Sequence, residues 1–169
     1  MKKYKIGMFG GKFMPIHKGH VYCVDTASKL CEKVYWILFQ GGTQEYEIMK
    51  TDTILPKEEY LPETRLRRMR KIAEVYGNVE IVVIDISHLK NQDGSDNWDL
   101  ETEFVLDACG HLDAVIAGDT EYKEYFDRAY PWAELVAVDP ERITYPISGT
   151  MVRNMKLEEA LLWMVRPVV

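Results

Sequence analysis

The stretch Tyr4-Lys-Ile-Gly-Met-Phe9 runs straight into Gly10-Gly-Lys-Phe-Met-Pro-Ile-His17-Lys-Gly-His20, and from there into Val21, Val24, Ala27 and Cys31 at helical spacing. The order is strand, glycine-rich turn, helix. At such a turn paired glycines let the backbone approach a ligand closely, while the free N–H groups and dipole of the following helix favour an anion. Gly10, Gly11 and Gly19 are the candidates for close approach, and Lys12 adds a cation. The segment is not the G-x-G-x-x-G of dinucleotide-binding turns, and it lacks the G-K-[ST] ending of a P-loop. It carries instead two imidazoles, His17 and His20, three residues apart at a helix start, where both can be aimed at the same phosphates as hydrogen-bond donors. Three other readings fit the same letters: either histidine as a cap or surface residue, His17, His20 and Cys23 as zinc ligands spaced by threes, and Phe13 and Pro15 as packing plugs of the loop. A zinc site would leave the Gly-Gly-Lys run without a role, and no fourth ligand cluster accompanies it.

Further runs rich in Val, Ile, Tyr and Phe span 33–40, 79–86, 113–117 and 134–138, with helical patterns between them. Pro62 opens and Gly77 closes one helix, and others are expected over about 97–109 and 120–129. Strands alternating with helices, and strands nearly continuous in apolar residues, predict a doubly wound α/β domain with a parallel five-stranded sheet covered on both faces. With no repeat, low-complexity tract or linker, residues 1–169 are expected to form that single domain. Two connections, 41–61 and 87–96, exceed what an α/β unit needs and begin at strand carboxyl ends, where ligands of open α/β sheets sit.

Bulk properties bound the function. A chain of 169 residues with 47% hydrophobic content can bury one core without disulfides, and a net charge of −6 argues against a surface built for nucleic-acid polymers while leaving free nucleotides open. The three cysteines, Cys23, Cys31 and Cys109, fit no zinc or thioredoxin spacing and read as reduced, buried thiols, which points to the cytoplasm. The basic start is followed by no apolar targeting region, and no run approaches membrane-spanning length, so a soluble protein is expected.

A second motif, Ile147-Ser-Gly-Thr-Met-Val-Arg153, follows the last strand and Tyr145-Pro146. Ser148 is placed as a helix N-cap, with Thr150 and Arg153 on the same first turn. By itself the segment reads first as an ordinary capped helix whose arginine faces solvent, and its pairing with the first motif turns the reading toward an anion cradle.

The first motif resembles the G-x-F-x-P-x-H-x-G-H signature of the nucleotidylyltransferase superfamily related to class I aminoacyl-tRNA synthetases, matching at Gly11, Phe13, Pro15, His17, Gly19 and His20. The second resembles that superfamily's I-S-[ST]-x-x-x-R, with Gly149 where many members have Ser or Thr. Lys12 before Phe13, the small residue at 149, Val138-Asp-Pro-Glu-Arg142, Arg65-Leu-Arg67 and Trp98-Asp99 are similar to the NadR-type nicotinamide-mononucleotide adenylyltransferases. Residues 163–169 resemble the join to the kinase domain of that family; no kinase is expected here, because the chain has no P-loop.

The resemblance implies a Rossmann-like HxGH fold and transfer of an adenylyl group from ATP to nicotinamide mononucleotide in NAD biosynthesis. His17, His20 and Lys12 would serve the reacting phosphates. Gly10, Gly11, Phe13, Gly19, Gly118, Asp119, Ser148, Thr150 and Arg153 would hold ATP. Mg²⁺ is expected with the ATP phosphates and no protein ligand is assigned to it. Trp98 would stack on the cationic nicotinamide ring, or pack as a helix-start aromatic, and Arg65 would reach the acceptor phosphate, or belong to a solvated face with Arg67, Arg68, Arg70 and Lys71. The family's second tryptophan, three residues on, is Glu101 here. Homo-oligomers are common in the superfamily. The alternatives are the same chemistry on flavin mononucleotide, on phosphopantetheine or on an alcohol phosphate attacking CTP, and a non-catalytic nucleotide sensor.

Overall fold

The structure is a computed structural model that describes residues 1–167. Val168 and Val169, the end of the expected domain and of the kinase-join segment, lie outside the described residues.

Five strands, β1 (Tyr4–Gly11), β2 (Cys31–Gln40), β3 (Val79–Asp85), β4 (Ala114–Ala117) and β5 (Glu134–Ala137), form one all-parallel sheet in the order β3-β2-β1-β4-β5. The chain builds β1, β2 and β3 in one direction, then crosses back to place β4 against the free edge of β1, with Phe9 opposite Ile116. β1 is thus central, and the crevice beyond the carboxyl ends of β1 and β4 is the topological switch point.

Alternation along β2 shows why the sheet is covered twice. Val34, Trp36 and Leu38 face a core with α1 (Lys18–Leu30) and α3 (Pro62–Ala73), through Val24, Ala27 and Met69. Ile37 faces the opposite core with α4 (Trp98–Cys109) and the end of α5 (Lys123–Ala129), through Val105, Leu112 and Tyr130. Trp36 and Ile37 are fully buried, each contributing roughly 1.5–3 kcal/mol. The cysteines are buried free thiols. No described helix is long and apolar enough to cross a membrane.

The 41–61 connection is more ordered than its sequence suggests: it contains α2 (Thr43–Lys50) and a 3-10 turn over Lys57–Tyr60. A third apolar cluster, including Met14, Leu55, Tyr60, Ile147 and Val152, joins this connection to α6 (Gly149–Arg153) and α7 (Leu157–Trp163). Beyond α7 the amide of Val165 donates to the carbonyl of Ile16 at 3.1 Å, so the described part of the 163–169 segment packs on the first motif.

Arg65 requires a correction. It is 1% exposed, ion-paired with buried Glu45 of α2, and donates to the Lys12 carbonyl at 2.7 Å. Its guanidinium fastens α2 to the turn after β1 from beneath and borders neither lobe of the cleft described below. Arg68 pairs with Glu59, and only Arg67, Arg70 and Lys71 form the solvated face. Cutting one partner from a buried pair strands the other charge. Arg65→Ala is therefore expected to lower the unfolding free energy by about 3–5 kcal/mol, read from the urea midpoint, whereas an unshifted midpoint would mean that the pair holds nothing in place.

Candidate active site

Beyond the ends of β1 and β4 lies a cleft of two lobes, one of about 560 Å³ and one of about 250 Å³. Both are bordered by Gly10, Gly11, Phe13 and His20, so the first motif forms the saddle between them. At Gly10 a Cβ would stand 2.6 Å from the Phe39 ring, so packing against that ring alone already calls for a glycine. Phe13 takes a left-handed backbone conformation (φ 56°) unusual for its type. Its ring is held by edge-on packing against Trp36 at 5.6 Å and His20 at 4.8 Å. Phe13 therefore plugs the core and borders the cleft.

The two histidines cap α1 reciprocally. The Gly19 amide donates to His17 Nδ1 and the His17 amide donates to His20 Nδ1, both at 3.1 Å. A nitrogen accepting from an amide carries no proton, so each neutral ring carries its hydrogen on Nε2 and keeps that edge as a donor. The rings stack at 3.6 Å between centroids. Burial pulls the His17 pKa down to about 4, with help from the positive charge of Arg142, and pulls His20 well below its ordinary value, with His17 and Arg142 adding to the effect. Both are neutral donors at neutral pH.

Zinc ligation by His17, His20 and Cys23 would have to break this capping arrangement. Both Nδ1 atoms are engaged, burial pushes the Cys23 thiol up to about 12, and the described residues hold no group of three or more metal-ligating side chains.

The second motif closes over the first. Ser148 caps α6, its Oγ accepting from the Met151 amide at 3.1 Å. Arg153 donates to the Met14 carbonyl at 2.7 Å and to Thr150 Oγ1 at 3.2 Å. A Cβ at Gly149 would lie 3.1 Å from an Arg153 guanidinium nitrogen, so a larger residue there would shift that guanidinium by a few tenths of an ångström. Thr150 and Arg153 border the larger lobe and Ser148 the smaller.

Gly19, Gly118 and Asp119 border the smaller lobe, as does Arg142, which the sequence offered only as part of a similar segment. Asp139 accepts from the amides of Ile143, Thr144 and Tyr145, curling the chain so that Arg142 reaches Asp119 at 2.9 Å and the Ile147 carbonyl. In the larger lobe Lys12 stands 3.4 Å from Gln44 Oε1, its pKa lowered chiefly by burial. Trp98 is 41% exposed and edge-on to Tyr122 at 5.2 Å and Tyr125 at 5.0 Å. Those tyrosines carry no motif, and only the docking of α5 brings them to the cleft.

A switch-point cleft with a glycine saddle, neutral imidazole donors and flanking cations defines an α/β protein suited to phosphate-bearing nucleotides. A family model described as cytidylyltransferase-like matches residues 8–155, and the chain belongs to this family of nucleotidyltransferases. It is similar to the trifunctional NAD biosynthesis/regulator protein NadR of Escherichia coli K12, at 24% identity over 165 residues, covering 90% of this chain and 37% of that protein. It is also similar to a phosphopantetheine adenylyltransferase of Streptococcus pneumoniae, at 29% identity, covering 73% of this chain and 63% of that one. Among solved structures, a NadR protein in complex with NR superposes with a TM-score of 0.61 at 19% identity, covering 96% of this chain and 43% of that one. The bifunctional NMN adenylyltransferase/ADP ribose pyrophosphatase of Francisella tularensis gives 0.59 at 21% identity, covering 89% and 41%. The chain thus spans well under half the length of the NadR relative.

Because the folded pKa of His17 is depressed below its unfolded value, the unfolded chain binds the extra proton. Stability attached to His17 is present above about pH 6.5 and is lost as pH falls toward 4. His17→Asn keeps a capping acceptor but does not titrate, so its unfolding free energy should fall less steeply than the wild type's between pH 6.5 and 4. Parallel curves in urea titrations would contradict the buried neutral state.

Proposed function

We propose that this protein transfers the adenylyl group of ATP to the phosphate of nicotinamide mononucleotide, forming NAD and releasing pyrophosphate. The observation that carries the reading is the capping geometry at the saddle, where two neutral imidazoles keep Nε2–H donors beside a glycine turn. An oxygen of the acceptor phosphate attacks the α-phosphorus and pyrophosphate departs in line, without a covalent enzyme intermediate. Positioning and stabilisation of the charge developing on the phosphoryl oxygens are what such a step needs from the protein. A donor that is already neutral keeps its hydrogen through the reaction, so His20, bordering both lobes, stabilises charge without exchanging a proton.

Gly10, Gly11, Phe13, Gly19, Gly118 and Asp119 would receive the adenosine and α-phosphate, and Ser148, Thr150 and Arg153 the departing phosphates. Lys12 adds positive charge on the acceptor side. Mg²⁺ would enter as part of the MgATP substrate, held by phosphate and water. Trp98 offers an aromatic face to the cationic ring of the acceptor. The NadR similarity supports this acceptor, while the similarity to phosphopantetheine adenylyltransferase supports the same transfer onto phosphopantetheine as a second reading.

Incubation with MgATP and each acceptor, with pyrophosphate and dinucleotide followed together, tests the reading: NAD should form from nicotinamide mononucleotide. Pyrophosphate released only with phosphopantetheine would move the second reading to first place, and ATP binding without turnover would make the protein a sensor. His20→Ala is expected to lower kcat by about 10²–10³-fold with a smaller change in ATP affinity; unchanged turnover would remove His20 from the reacting centre. Trp98→Ala should raise the acceptor KM while leaving the KM for ATP nearly constant, and an unaltered acceptor KM would place the ring elsewhere.

A further inference from the structure

The larger lobe, which holds Lys12 and Trp98, contains a carboxylate that neither the motifs nor the proposed chemistry uses. Glu101 sits three residues after Trp98 in the first turn of α4, so the two side chains share one face of the helix and border the same lobe. Its Oε2 is buried without a hydrogen-bond partner among the described residues. The neighbouring acid differs: Asp96 is paired with Lys90 and accepts from Thr43. Glu101 stands in the wall of the larger lobe, and a buried acceptor oxygen left unmatched there is costly unless a small shift of the side chain brings it to a donor.

We propose that Glu101 is a specificity-determining residue that accepts a hydrogen bond from the head group of the acceptor, selecting a carboxamide and rejecting the corresponding carboxylate. This deepens the proposed function and rests on it, because a ring received by Trp98 brings its edge within reach of the residue one turn further along α4. A nicotinamide group offers two N–H donors, whereas a nicotinate group offers none and adds a like charge, an arrangement that costs binding heavily in a desolvated site.

Burial raises the Glu101 pKa to about 7, with the negative charge of Asp96 adding to the effect and Lys12 and Lys90 opposing it. From α5, Tyr125 and, at its end, Tyr130 also face this group. Discrimination therefore depends on pH: above 7 the ionised carboxylate excludes the acid, and below 7 the protonated form can donate to it.

The test compares kcat/KM for nicotinamide mononucleotide and nicotinic acid mononucleotide between pH 6 and 8.5, in the wild type and in Glu101→Gln. The wild type is expected to favour the amide by on the order of 100-fold at pH 8.5, narrowing by roughly tenfold toward pH 6. Glu101→Gln, which accepts from the amide and donates to the acid, should bring the ratio near unity at every pH. Equal use of both by the wild type at pH 8.5, preference for the acid, or a Gln variant that retains the wild-type ratio and its pH dependence would each overturn the role of Glu101 while leaving the acceptor reading intact. Turnover of neither mononucleotide, with phosphopantetheine consumed, would overturn both.

Discussion

At the start of α1 the amides of Gly19 and His17 each donate to an imidazole, one to His17 and the other to His20, and the chemical state of the cleft depends on that exchange. Helix termini leave several amides without intrahelical partners, and serine, threonine or asparagine is their usual cap. An imidazole used in this place does two things at once. It satisfies the helix, and by engaging Nδ1 it fixes the hydrogen on Nε2. Burial then keeps the rings uncharged, so the helix start presents oriented donors rather than titrating cations.

That arrangement survives only because the turn around it is tied down on three sides. From below, Arg65 holds the Lys12 carbonyl and pairs with Glu45. From the second motif, Arg153 holds the Met14 carbonyl. From the segment after α7, the Val165 amide holds the Ile16 carbonyl. Each clamp engages a carbonyl of the loop that no helix or strand could satisfy, and buried carbonyls of irregular backbone need such partners. The left-handed Phe13 backbone is tolerated within this enclosure because its ring is packed on Trp36 and His20.

Charge is divided between the lobes in a way that follows from the sheet order. With β4 beside β1, Asp119 and the chain beyond β5 come to the smaller lobe, bringing Arg142. The loop after β3 and the start of α4 come to the other side, bringing Asp96, Trp98 and Glu101 to the larger lobe with Lys12 and Arg153. Cations thus flank both sides of the saddle, with carboxylates beside them, and neutral donors stand upon it.

The strand pattern, the doubly wound class and the positions of both motifs at strand ends could be read from local periodicity, because period-2 and period-3.6 burial leave their mark residue by residue. The fixed spacing of His17 and His20 lies within one turn, so their pairing was equally legible. Arg65 was not: a guanidinium in a run of basic residues looks solvated until packing shows Glu45 opposite it, and the sequence gives no sign that residues twenty apart will meet. Nor did Tyr122, Tyr125 or the unmatched oxygen of Glu101 carry a local signal, since what makes each of them part of the cleft is the docking of α4 and α5 across the sheet. The sequence alone determined the five strands, the helices between them and where the glycine-rich turn lies; only the tertiary structure decided which charges are buried, which tautomers are fixed and which carboxylate oxygen has no partner, because those depend on neighbours distant in the chain.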